Sequence, residues 1–300
     1  MIRRLVVNAD DLGLTPAVND GIFEAHDHGI LTSASLFANA PATVDAIVRA
    51  GSRPALGIGV HLALVDGVPT LSPDRVPTLI ANDGRFHTSW KPFIVACLQG
   101  KVALAEVELE LEAQIDRIHS AGIRLTHLDA HKHVHAYPPI FEIIARLAKR
   151  FGIPVVRIPY ERWSPLYGDQ PQRRTARRQL LVNTALLPWA RRDRTIAGKY
   201  GVTSPEFIGR IHTGVLSLAS VTEPLRRLRA GVTELMVHPG YVDAALRALP
   251  TRLVRSRSDE VQLLTSLLVK YVVSHEAIQL VRHDLSPSRS LSVGRLRHAS

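Results

Sequence analysis

The residues best equipped for chemistry fall in four short segments. Asn8-Ala9-Asp10-Asp11-Leu12-Gly13 closes an apolar run with adjacent carboxylates, and Gly57-Ile58-Gly59-Val60-His61-Leu62 sets an imidazole inside another. Thr126-His127-Leu128-Asp129-Ala130-His131-Lys132-His133-Val134-His135-Ala136-Tyr137-Pro138 gathers four of the chain's 14 histidines within nine residues. Glu234-Leu235-Met236-Val237-His238-Pro239-Gly240-Tyr241 adds one more histidine at the end of an apolar run. Taken singly, each has an ordinary explanation: a solvated Asp-Asp turn, a core histidine with its hydrogen bonds satisfied, a surface histidine tract. Four apolar runs ending in Asp, His, His and His point instead to one built site.

Imidazole and carboxylate together bind zinc or another borderline divalent ion, and three protein ligands leave a position for water. Such an ion lowers the pKa of that water towards ~7. A carboxylate beside the metal can act as general base and a histidine across the site as general acid. The class of reaction is metal-assisted hydrolysis. Two histidines with one carboxylate also suit a non-haem Fe(II) oxygenase, so the fold has to decide between them. Strand alternation predicts that Asp10 and Asp11 point to opposite sides, and that positions 127, 129, 131, 133 and 135 share one face if the segment is extended.

These segments need strands to carry them. Runs at 4–9, 33–38, 56–62, 125–130, 155–158, 234–238 and 278–282 read as strands, and helical patterns lie between. The clearest helix covers about 102–121, where Leu104, Val107, Leu111, Ile115 and Ile118 recur at three- and four-residue steps while Glu106, Glu108, Glu110 and Glu112 take other faces. Thr15-Pro16 and Pro138-Pro139 start helices that Gly29 and Gly152 stop. Alternation of this kind gives a mainly parallel α/β sheet, open or closed into a barrel, whose active site opens at the strand C-termini. It argues against the jelly-roll folds usual for the oxygenases. Residues 63–100 read as a long loop region, and 160–215 as an insertion whose centre, 172–194, mixes seven arginines with Leu180, Leu181, Val182, Leu186, Leu187 and Trp189. Residues 286–300 read as a Ser/Arg-rich tail.

The chain has 300 residues, 46% hydrophobic and 21% charged, an ordinary globular balance. Its formal net charge of +10 is regional: residues 1–150 carry 14 Lys and Arg against 16 Asp and Glu, whereas 151–300 carry 23 against 11. The basic half asks for a partner. Nucleic acid fits poorly, because no recognisable binding motif is present and aromatics make up only 5%. An anionic membrane surface fits the arginine-flanked apolar segment at 172–194, and a solvated arginine-rich face is the plain alternative. The single cysteine, Cys97, gives neither an internal disulfide nor a Cys-rich zinc site. No run approaches the ~18 apolar residues of a spanning helix, and the N-terminal run is too short for a signal peptide. A cytoplasmic protein is expected, free or resting on the inner face of the membrane.

The four segments resemble, in order and spacing, the motifs of the YdjC-like (ChbG-type) carbohydrate deacetylases, over about residues 3–283. The resemblance implies a distorted (β/α) barrel of the polysaccharide-deacetylase type, a single domain over residues 1–285 with long loop insertions. It implies one divalent metal ion, zinc or magnesium first, and hydrolysis of an N-acetyl group from an amino sugar with release of acetate. Carried over motif by motif, Asp11, His61 and His131 would be the metal ligands, Asp10 the general base and His238 the general acid. Leu12 stands where many members have Phe, outside the ligand set. The roles of His127, Asp129, His133 and His135 stay open between hydrogen-bonding the ligands and contacting sugar. Residues 234–252 resemble the hopanoid-biosynthesis-associated branch, which implies N-acetylglucosaminyl bacteriohopanetetrol as substrate. A soluble diacetylchitobiose-type deacetylase is the alternative enzyme, and a basic metal- or membrane-binding protein the alternative without catalysis. Oligomeric state is left open.

Overall fold

The computed structural model describes residues 2–162 and 167–288. In chain order they form β1 (Arg3–Leu12), α1 (Pro16–His28), β2 (Ser33–Leu36), α2 (Thr43–Gly51), β3 (Gly57–Leu62), α3 (Trp90–Leu98), α4 (Leu104–His119), β4 (Leu125–Ala130), α5 (Pro138–Phe151) and β5 (Val155–Val156). There follow α6 (Gln170–Ala185), α7 (Leu187–Tyr200), β6 (Glu206–Ile208), α8 (Leu218–Arg226), β7 (Gly231–Val237), α9 (Ala244–Ala248), α10 (Arg255–Thr265), α11 (Leu267–His275) and β8 (Gln279–Leu280).

Local chemistry sets the boundaries. Thr15 accepts a hydrogen bond from the Val18 amide and Pro16 opens α1. Gly152 ends α5 in the left-handed region, at φ 68°. Of the predicted α4 stripe, Val107, Leu111, Ile115 and Ile118 are buried, whereas Leu104, in the first turn, is exposed. Glu110 departs from the expected outward face: it is buried, and its carboxylate accepts from the amides of Thr70 and Leu71. Glu106 likewise takes the Thr78 amide and hydroxyl. Anchors of this kind give the 63–100 region its course, and it also holds α3 and a 3₁₀ turn at Pro73–Arg75.

The sheet runs β5-β4-β3-β2-β1-β7-β6, with β8 also on β1, and every pairing is parallel. Its two ends approach each other through isolated bridges, Val155 with Thr203 and Glu161 with Phe207. The result is a curled sheet, a distorted (β/α) barrel with helices outside. Strand β1 lies between β2 and β7 and is buried from Leu5 to Leu12. Parallel strands covered on both faces explain why the sequence shows apolar runs rather than alternation.

Three expectations need adjusting. Residues 160–215 do not simply interrupt the rhythm, since α6, α7 and β6 lie within them and β6 extends the sheet beyond β7. Strands expected at 155–158 and 278–282 shrink to two residues each. From residue 289 onward the proposed tail lies outside the described residues.

Candidate metal centre and active site

The C-terminal ends of β1, β3, β4 and β7 bring the four sequence segments together. On β1 the pairing with β2 slips between Ala9 and Leu12, and Asp11 sits at φ 69°. This bulge defeats strict alternation. Instead of pointing to opposite sides, Asp10 and Asp11 are both buried within one cluster of histidines and arginines.

Asp11 faces two imidazoles. Its Oδ1 lies 3.5 Å from His61 Nε2 and 3.4 Å from His131 Nδ1, and is a buried oxygen with no hydrogen-bond partner. Its Oδ2 accepts from the buried Arg257 of α10. His61 Nδ1 is engaged by Asp129 Oδ1 at 2.7 Å, which aims Nε2 at the cluster. On the far side of His131, Nε2 meets Asp66 Oδ2 at 3.1 Å, and Lys132 pairs with the same carboxylate. One free carboxylate oxygen and two oriented imidazole nitrogens form a donor set that fits a divalent ion. A second grouping, Asp10, His61 and Asp129, is also close enough to hold one. There both carboxylates are already bound to Arg157, so a cation would have to displace a guanidinium.

Arg157 is the hub beneath the site. Fully buried just past β5, it grips Asp10 with two hydrogen bonds of 2.8 Å, and pairs with Asp129 at 2.8 Å and Glu234 at 2.5 Å. Burial pushes the Asp10 pKa up, but the Arg157 charge outweighs it and holds the group at about 2. Burial opposes ionisation of Asp11 as well, and Arg257 with His131 keeps it well below the usual carboxylate range. For His131, burial is overcome by the neighbouring Asp11 and Asp66 carboxylates, and the pKa rises to about 9. His238 follows β7 with its Nδ1 unpartnered, and burial presses its pKa down to about 4.

The remaining histidines are structural neighbours of this cluster. His127 lies between Thr126 Oγ1 and Ser35 Oγ, at 2.9 Å each, and stacks on His283 at 3.7 Å. His135 bonds the Arg157 carbonyl at 2.9 Å, and His133 meets the edge of Phe207. The expected common face from 127 to 135 ends at Ala130. A 3₁₀ turn at His131–Ala136, with Lys132 and His133 at positive φ, swings His131 towards Asp11. Sequence reasoning missed Arg157, Arg257 and Asp66. Arg157 had a signal, an arginine inside the apolar stretch Val155-Val156-Arg157-Ile158; Arg257 and Asp66 had none.

Comparison with known proteins identifies relatives over nearly the whole chain. A family model described as YdjC-like protein matches residues 4–274. A carbohydrate deacetylase of Brevibacillus brevis is 36% identical over 278 residues, 93% of this chain and 97% of the relative. One of Geobacillus stearothermophilus is 31% identical over 284 residues, 94% and 98% of the two chains. A solved structure from Enterococcus faecalis V583, described as a candidate cellobiose-phosphate cleavage protein, superposes with a TM-score of 0.76 at 26% identity and covers 95% of this chain and 98% of its own. The chain belongs to the YdjC-like carbohydrate deacetylase family.

Proposed function

We propose that the protein is a metal-dependent N-deacetylase that hydrolyses the N-acetyl group of an N-acetylglucosaminyl substrate, with a glycosylated hopanoid, N-acetylglucosaminyl bacteriohopanetetrol, as that substrate. The observation that carries the deacetylase reading is the convergence of Asp11 Oδ1, His61 Nε2 and His131 Nδ1 beside an Asp10 that Arg157 keeps ionised. The relatives' names support the same chemistry. The hopanoid reading is supported by the resemblance of residues 234–252 and by the basic, partly apolar helix α6.

Asp11, His61 and His131 would hold the ion, zinc or magnesium first. When bound it supplies Lewis acidity to the acetyl carbonyl and acidifies water. Asp10, ionised at any pH above about 2, takes a proton from the attacking water. His238 gives a proton to the sugar nitrogen as the C–N bond breaks, and acetate and the free amine depart. Because burial keeps His238 neutral at rest, it must first take up that proton from solvent, and the neighbouring Asp10 and Asp11 carboxylates favour its charged form.

The test is a paired assay of acetate release from N-acetylglucosaminyl bacteriohopanetetrol and from diacetylchitobiose, with and without chelator. Chelator-sensitive release from the lipid-linked sugar is expected. Preference for diacetylchitobiose would make the enzyme a soluble chito-oligosaccharide deacetylase, and release from neither with any metal would sink the reading.

A further inference from the structure

Helix α6 presents an unusual outer surface. Ala176 and Asn183 are buried and Gln179 half-buried, which defines its inner stripe. The opposite side carries Arg174, Arg178, Leu181 and Val182 at helical spacing, with Arg173 and Arg177 beside them. Leu181 is 74% and Val182 36% exposed. Ion pairs around this region use Arg162, Lys199 and Arg226, and among the described residues no carboxylate pairs with any of the four α6 arginines. Trp189, within the same basic stretch, is turned inward against Tyr137 and takes no part.

The helix is fastened to segments that follow the C-terminal ends of β5 and β6. Asn183 accepts from the Glu161 amide at 3.0 Å and donates to its carbonyl at 2.8 Å, just beyond β5. Gln179 donates to the Thr213 carbonyl at 3.3 Å, and Arg252 bonds both Gln179 and Thr213. Arg252 thereby stands near Arg178, cation beside cation. Clustered cations without carboxylates repel one another, and exposed Leu and Val leave apolar surface in water. A partner with negative charge above an apolar layer relieves both, whereas nucleic acid offers only the charge.

We propose that the outer face of α6, with Arg252, docks on an anionic lipid bilayer, the arginines on its headgroups and Leu181 and Val182 at the headgroup–acyl boundary. The purpose of the surface rests on the lipid-linked reading above: it would set the strand ends against the membrane that holds the sugar.

The test uses the full chain without substrate, sedimented with vesicles of phosphatidylcholine alone or mixed with phosphatidylglycerol. Binding only to the anionic vesicles, weakened by salt, is expected. The double variants Arg174→Glu with Arg178→Glu and Leu181→Ser with Val182→Ser should each lose about tenfold or more in vesicle partitioning. All four side chains lie outside the catalytic cluster, so circular dichroism and acetate release from soluble diacetylchitobiose should be unchanged. Equal binding to neutral vesicles, no binding to anionic ones, undiminished binding by correctly folded variants, or tighter binding to a DNA oligonucleotide than to vesicles would each overturn the proposal. Hopanoid deacetylation in detergent without vesicle binding defeats the docking surface alone; vesicle binding without hopanoid deacetylation supports the surface and defeats the substrate.

Discussion

Asp10 and Asp11 are chain neighbours that different arginines hold for different work. Arg157 takes both oxygens of Asp10 and keeps that residue a carboxylate; Arg257 takes one oxygen of Asp11 and leaves the other facing two imidazoles. Asp10→Asn keeps the shape and removes the proposed base. Acetate release should fall by about 100-fold or more, with metal content unchanged by elemental analysis; near-normal turnover would remove Asp10 from that role. Asp66 acts one step out, through His131 Nε2. Replacing it by Ala leaves that imidazole unoriented, and metal affinity should drop by roughly 10- to 100-fold in a direct titration. Affinity equal to that of the parent chain would show that His131 needs no such support.

Between the strands, the site depends on irregularities that local sequence does not announce. The apolar runs made β1, β3, β4 and β7 legible, and with them the strand-end positions of Asp10, Asp11, His61 and His238. The bulge after Ala9 and the turn at Lys132 and His133 were not legible, because period-two reasoning assumes an unbroken strand. Strand β6 has only three residues, too few to show a pattern, and its place is fixed by pairing with β7. Arg257 arrives from α10, far along the chain, where it looks like any surface arginine. The β3–β4 contact shows how tightly these elements are set: a Cβ on Gly59 would lie 2.5 Å from the His127 ring and from its carbonyl oxygen. Backbone cannot give way as a flexible side chain can. Gly59→Ala should therefore cost about 1–3 kcal/mol, seen as a lowered thermal midpoint, and should weaken metal binding by shifting His61. A variant as stable as the parent would mean that the two strands separate freely there.

Across the whole molecule, the net charge of +10 says little about where stability peaks, because linkage depends only on groups whose pKa changes on folding. Burial lowers the pKa of His127, His133, His135, His212 and His238 below the ordinary value of about 6.5. Below that pH the unfolded chain binds protons that these side chains refuse when folded, so stability falls on acidification. Two carboxyls act in the opposite sense. Burial raises Asp193, both of whose oxygens are unpartnered, to about 8 despite Arg192 and Arg194, and raises Glu260 to about 7. The folded chain keeps those protons after the unfolded chain has lost them near pH 4, so each penalises folding increasingly as pH rises to its folded value. Metal-free His131, raised to about 9, loses stabilisation over the same alkaline range. Five histidines outweigh two carboxyls between about pH 4 and 6.5, and above that the balance reverses. Urea midpoints measured with chelator should therefore peak near pH 6.5. Asp193→Asn removes up to about 1.4 kcal/mol per pH unit from the alkaline decline. The variant should match the parent near pH 4 and exceed it at pH 8, whereas a parent midpoint that climbs steadily to pH 9, or a variant no better at pH 8, would show that the Asp193 carboxyl finds a partner in solution.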